Sequence, residues 1–200
     1  MFTINDNYNN EELKTSGAIR KSGVYTMKCT RAKIFKSANT SSESLGLTFE
    51  DKDGQKAWFS IWYKNKEGED VEFATRHINH LLALCDINKN NMNWDKDGNI
   101  ISLIGKFVGI ILEVNKGTDY NDSSKEVYEY RLQGFYDYKT NQTIKEKRDN
   151  APAVIVNKYV EKYQNAQEVV LNNNAGSNNN NNANDLGMGA TFNNDDDLPF

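Results

Sequence analysis

A mainly β domain followed by a long polar tail is the architecture predicted for this chain of 200 residues. Three observations predict it. Between residues 23 and 138, β-branched and aromatic residues alternate with polar ones in short runs separated by turn signals. Only two segments, near 75–85 and 152–170, repeat apolar residues at helical spacing. Beyond Leu171 the composition changes abruptly to asparagine, at 172–174 and 178–182, and such a segment cannot bury a core.

Taken in order, residues 1–22 are polar and read as a loosely held arm. The first strand follows from Gly23, with Tyr25 and Met27 on one phase and Ala32 and Ile34 on the other. That change of phase predicts a bulge near Thr30 and Arg31. Leu45, Leu47 and Phe49 alternate with Gly46, Thr48 and Glu50 in a half-buried strand. Asp51-Lys52-Asp53-Gly54 reads as a hairpin turn. The strand at 56–64 then places Phe59, Ile61 and Tyr63 on one face and Trp58, Ser60 and Trp62 on the other. After a turn at 66–69, a helix over 75–85 carries Ile78, Leu81, Leu82 and Cys85 on its apolar stripe. Val108, Ile110, Leu112 and Val114 are in phase on a strand at 106–114, and Tyr128, Tyr130, Leu132 and Tyr136 on another at 127–138. The loop between them, 115–124, is polar. Ile155, Tyr159, Tyr163, Ala166 and Val170 line one side of a helix within 152–170, although the run from Ala153 to Val156 also reads as a strand.

Three strands, a helix and two strands fit the OB-fold, a five-stranded, partly open Greek-key barrel used for oligonucleotide binding. The expected organisation is an arm at 1–22, an OB domain at 23–150, an amphipathic helix at 151–171, a disordered Asn-rich linker at 172–194 and an acidic segment at 195–200.

The net charge of −4 is unevenly placed. All Lys and Arg precede residue 172, and the acids beyond it are Asp185, Asp195, Asp196 and Asp197, so the body is neutral. A neutral body argues against a duplex-DNA protein that grips mainly through phosphates, but leaves room for a narrow basic groove. Cys29 and Cys85 are too few for a disulfide framework. No apolar run approaches the ~18 residues that span a membrane, and the first residues lack signal-peptide character. A cytoplasmic location with reduced thiols is expected.

Two indoles on one strand face, Trp58 and Trp62, flanked by Lys56 and Lys64, supply both stacking planes and cations. Single-stranded nucleic acid, which exposes its base faces, needs that combination. Lys28, Arg31, Lys33 and Phe35 on the first strand extend the same chemistry, and Arg131 on the last strand is a further candidate. His77, His80 and Cys85 lack the ligands to complete a zinc site. The Asp95-Lys96-Asp97-Gly98 string lacks the glutamate of a calcium loop, since residue 106 is Lys106. No phosphate-binding glycine loop and no catalytic constellation is recognisable, so neither a cofactor nor an enzymatic activity is expected.

Asp195-Asp196-Asp197-Leu198-Pro199-Phe200 runs three carboxylates into an apolar end. It reads as a hook for a partner with a basic-rimmed apolar pocket. The string resembles the acidic tip of bacterial and phage single-stranded DNA-binding proteins. The body is similar to the phage-encoded members through Leu45-Gly46-Leu47-Thr48-Phe49, Trp58-Phe59-Ser60-Ile61-Trp62-Tyr63 and Ile78-Asn79-His80-Leu81-Leu82. It departs from the housekeeping bacterial type, which begins its barrel near Met1 with an Asn-Arg-Val/Ile motif, so that type's tetramer is not carried over and self-association stays open. The resemblance implies sequence-independent binding of single-stranded DNA in replication, recombination and repair, in a bacterial host cytoplasm if the chain is phage-encoded. It also implies recruitment of replication or recombination proteins by the tip. A protein-interaction adaptor on an OB scaffold and a strand-annealing recombination mediator are the alternatives.

Overall fold

The computed structural model describes residues 17–119 and 122–172. The arm up to residue 16, almost all of the linker and the 195–200 segment lie outside the described residues.

Five strands form one antiparallel sheet in the order β3-β2-β1-β4-β5. They are β1 (Gly23–Lys36), β2 (Glu43–Glu50), β3 (Lys56–Lys64), β4 (Phe107–Thr118) and β5 (Glu126–Tyr136). Helix α1 (Glu72–Leu84) lies between β3 and β4, and α2 (Ile144–Arg148) and α3 (Val154–Tyr163) follow β5. β1 is shared by both halves of the sheet. Its first part, Gly23 to Lys28, pairs with β4, and its second part, Lys28 to Lys36, pairs with β2. The register shifts between Cys29 and Arg31, where the change of phase predicts a bulge, and the strand bends there.

The bend wraps the sheet around a core built from its concave face. Leu45, Leu47 and Phe49 of β2 meet Phe59 and Ile61 of β3 and Val108, Ile110 and Leu112 of β4, all buried. Phe49 stacks on Phe59 with centroids 5.8 Å apart. Helix α1 packs against β3 and β5 through Ala74, His77 and Leu81. It starts at Glu72, three residues before the expected boundary, because Phe73 and Ala74 already turn toward the interior.

Among the described residues no ladder joins β3 to β5, so the sheet is open rather than a closed barrel. The chain before β1 spans that seam. Ile19 donates its N–H to Lys56 O at 2.9 Å, and Lys56 N–H donates to Gly17 O at 2.8 Å. From the other side, Tyr130 Oη donates to Ile19 O at 2.9 Å. Ile19 is 1% exposed. The part of the expected loose arm from Gly17 onward is therefore tied into the fold, covering an edge that would otherwise present unpaired backbone groups.

On the convex side, α3 covers β4, β5 and the first part of β1 through Val156 and Tyr163, in a cluster with Ile111, Tyr136 and Val24. The helix ends at Tyr163, and Val170, expected on its stripe, is exposed. Tyr136, expected in phase with Tyr130 and Leu132, joins this second cluster instead, because β5 slips one residue between Leu132 and Gly134. The Tyr136 ring lies so close over Gly109 that a Cβ there would fall 2.3 Å from it. Gly109→Ala is therefore expected to displace the ring and lower unfolding stability by about 1–3 kcal/mol, read from urea melts.

His77 is 6% exposed, with its ring edge-on to Phe73 at 4.4 Å and no hydrogen-bond partner for Nδ1 among the described residues. Burial, reinforced by the nearby His80 and Arg76, pulls its pKa down to about 4. The unfolded chain then takes up a proton between about pH 6.5 and 4 that the folded chain refuses, so stability falls as pH drops through that window. The expected loss is on the order of 3 kcal/mol. His77→Phe is expected to remove this part of the pH dependence in urea melts at pH 7 and 4.5.

Candidate nucleic-acid interface

Helix α3 reaches the first part of β1 at Val24, but the convex face of β2, β3 and the second half of β1 carries no helix. Strand alternation decides what it displays: with Phe59 and Ile61 turned to the core, Trp58, Ser60 and Trp62 are turned outward. Pairing across the three strands then arranges the face in rows. Lys28, Glu50 and Lys56 form one row, followed by Arg31, Thr48 and Trp58. Next come Lys33, Gly46 and Ser60, then Phe35, Ser44 and Trp62. The bulge at Thr30 is what brings Arg31, Lys33 and Phe35 onto the same face as Lys28.

Phe35 leans across the strand, and a Cβ at position 46 would fall 2.5 Å from its ring, so Gly46 is what lets it lie flat. The Arg31 guanidinium carbon is 5.9 Å and the Lys33 Nζ 5.7 Å from the Phe35 centroid. At those separations the cations sit at the outer limit of attraction to the ring. Phe35 and Trp62 flank Ser44, which is 0% exposed and whose Oγ has no hydrogen-bond partner among the described residues. Trp58 is half-buried because its indole meets the Tyr130 ring edge-on at 5.4 Å.

The charges divide into paired and unpaired. Lys36 pairs with Glu43 at 3.2 Å and Lys56 with Glu50 at 3.7 Å. Tyr63 donates to Glu43 at 2.7 Å, and this hydrogen bond, with the neighbouring lysines, holds the Glu43 carboxyl below the usual range. Among the described residues Lys28, Arg31, Lys33 and Lys64 form no ion pair. Lys64, however, expected beside Trp62, leaves this face: the register shift next to Trp62 pairs it across the strands with Glu43, on the side of Leu45 and Ile61. Arg131 is placed elsewhere, on β5 opposite Glu113, with its Nε 3.3 Å from Glu129 Oε1.

Two aromatic positions that the sequence reading passed over adjoin this face. Phe107 pairs with Lys28 and is 49% exposed, and its ring lies 6.1 Å from that of Tyr138. Its signal was legible: it is the aromatic out of phase with Val108, Ile110 and Leu112. Trp94, 59% exposed, sits on a hairpin whose Asn99 bridges Lys33. The Asp95 carboxylate in that hairpin accepts from Asp97 N, Asn99 N and Asn99 Nδ2, which makes it the anchor of a turn.

A row of half-exposed rings with unpaired cations between them can stack flat, planar groups and neutralise an anionic backbone beside them. No family model and no curated protein matches the chain.

Proposed function

We propose that the protein binds single-stranded DNA without sequence preference on the convex β1–β3 face, as a binding protein rather than an enzyme. In this reading the curled sheet is an OB barrel whose β3–β5 seam is filled by residues 17–21. The bases stack on Trp58, Trp62 and Phe35, and Lys28, Arg31 and Lys33 contact phosphates. Phe107 and Tyr138 extend the track. Residues 195–200 recruit replication or recombination proteins, and the chain is phage-encoded.

One observation carries the reading: the strand register places three aromatic side chains and the unpaired Lys28, Arg31 and Lys33 on the part of the sheet, β2, β3 and the second half of β1, that no helix covers. The orphaned Ser44 oxygen adds to it, because buried polar groups without partners are uncommon except where a surface serves something besides stability. Arg131, already paired with Glu129, has a smaller part in it.

Charge reversal tests the cationic half of the proposal. Arg31→Glu with Lys33→Glu is expected to weaken oligo-dT binding at least tenfold. Each lost phosphate contact on a single strand flattens the salt dependence by about 0.7 in log K against log salt, so the pair flattens it by about 1.4. Unchanged affinity and slope would move the binding site off this face.

A further inference from the structure

A cavity of about 350 Å³ opens where α1, β5 and α2 meet, away from the β1–β3 face. That volume lies in the range of sites that hold a small ligand or a few side chains. Its floor is apolar, from Phe73, Phe135, Ile144 and Ile155, and its rim is cationic, from Arg76, Lys145 and Arg148. His77 also lines it, nine-tenths buried, with Nδ1 unpartnered. The rim's existing ion pairs are replaceable. Arg76 holds Glu72, and Arg148 holds Asp149, both at the surface, where such pairs contribute about 0–1 kcal/mol. Lys145 has no ion pair among the described residues.

We infer that this cavity docks the chain's own Asp195-Asp196-Asp197-Leu198-Pro199-Phe200 segment, with Leu198 and Phe200 on the apolar floor and the carboxylates against Arg76, Lys145 and Arg148. Two observations select that occupant. The first is chemical: residues beyond 172 contain no cation, and this segment joins consecutive acids to bulky apolar side chains in the order the rim and floor require. The second is reach. Asn172 N–H donates to Glu126 at the start of β5, while the cavity borders Gln133, Gly134 and Phe135 near its end. That distance is about 25 Å at the rise of a β-strand. A connector of the length of residues 173–194 spans about 26 Å as a random chain and up to about 75 Å extended. The tether holds the segment at an effective concentration on the order of millimolar, so even a weak contact stays occupied. Partner capture by the same segment then requires its release from this cavity.

The test uses the full chain with Phe200→p-benzoylphenylalanine, a photo-crosslinking side chain, mixed equally with isotopically heavy chain. Crosslinks are expected on α1 and α2, at residues bordering the cavity, and within one chain. Lys145→Glu with Arg148→Glu is expected to cut their yield at least fivefold. Reversing Asp195, Asp196 and Asp197 to Lys in that variant restores it, which a misfolded variant would not do. Crosslinks on Trp58, Trp62 or Phe35, crosslinks chiefly between light and heavy chains, or none at all would overturn the inference.

Discussion

Trp58→Ala combined with Trp62→Ala is expected to weaken oligo-dT binding by at least thirtyfold. Stacking on an aromatic platform contributes about 1–3 kcal/mol per base, so losing two platforms removes about 2–6 kcal/mol, and each 1.4 kcal/mol is tenfold. The two residues are not equivalent. Trp58 also braces Tyr130, whose hydroxyl holds the seam segment at Ile19, so its removal destabilises the fold as well as the face. Trp62, flanked by Ser44 and half-exposed, affects binding with little effect on stability. The Trp62→Ala chain alone is therefore expected to lose five- to a hundredfold in affinity at nearly unchanged melting temperature. Tyr159→Ala, on the half of the sheet that α3 covers, provides the control and leaves affinity where it was. If both double and single variants bind as the parent does, the stacking face is misassigned.

Glu146→Ala is expected to cost about 3–5 kcal/mol of stability, the largest effect of any single substitution considered. Glu146 is buried and accepts from Thr143 N at 2.8 Å and Thr143 Oγ1 at 2.9 Å through one oxygen. The other oxygen accepts from Val154 N and Ile155 N, both at 2.8 Å. One carboxylate thus closes the capping box of α2 and anchors the first turn of α3. Alanine leaves those donors unpaired in a dry site, a heavier loss than the net value of the bonds themselves. Burial pushes the Glu146 carboxyl up, but the N–H groups of Ile155, Thr143 and Val154 together outweigh it and hold the pKa below the usual range. A depressed carboxylate contributes stability that is full above its unfolded value near 4.3 and is lost as pH falls through the folded one. Urea melts of the parent and Glu146→Ala chains are expected to differ most at pH 7 and to converge in acid. A constant gap down to pH 2 would show that the carboxylate charge plays no part.

The β1–β3 face was legible in the sequence because one side of each strand is buried. Burial imposes a period of two, and Phe59 with Ile61 fixes where Trp58 and Trp62 must point. The bulge at Thr30 was legible for the same reason, since the core residues of β1 change phase. Where both faces are wet, the signal fades. β4 continues to Thr118 and β5 begins at Glu126, within or beside a stretch that reads as loop, because Asn115, Lys116 and Glu126 carry no apolar alternation. That ribbon is held by backbone pairing and by Lys116 with Glu126 at 3.0 Å. The seam is a different case. Ile19 is one apolar residue in a polar arm, and nothing local announces that Tyr130, far along the chain, reaches back to it. The basic-rimmed cavity was equally silent, because α2 is five residues long and its partners come from four other elements.

Tryptophan fluorescence reads directly whether the convex face stacks single-stranded DNA. In a Trp94→Phe chain, emission comes from Trp58 and Trp62 alone. Titration with oligo-dT at two salt concentrations is expected to give saturable quenching. Three phosphate contacts, from Lys28, Arg31 and Lys33, predict that log K falls with log salt at a slope of about −2. Binding that leaves the emission of both indoles unchanged, or no binding at either salt concentration, would rule out stacking on this face.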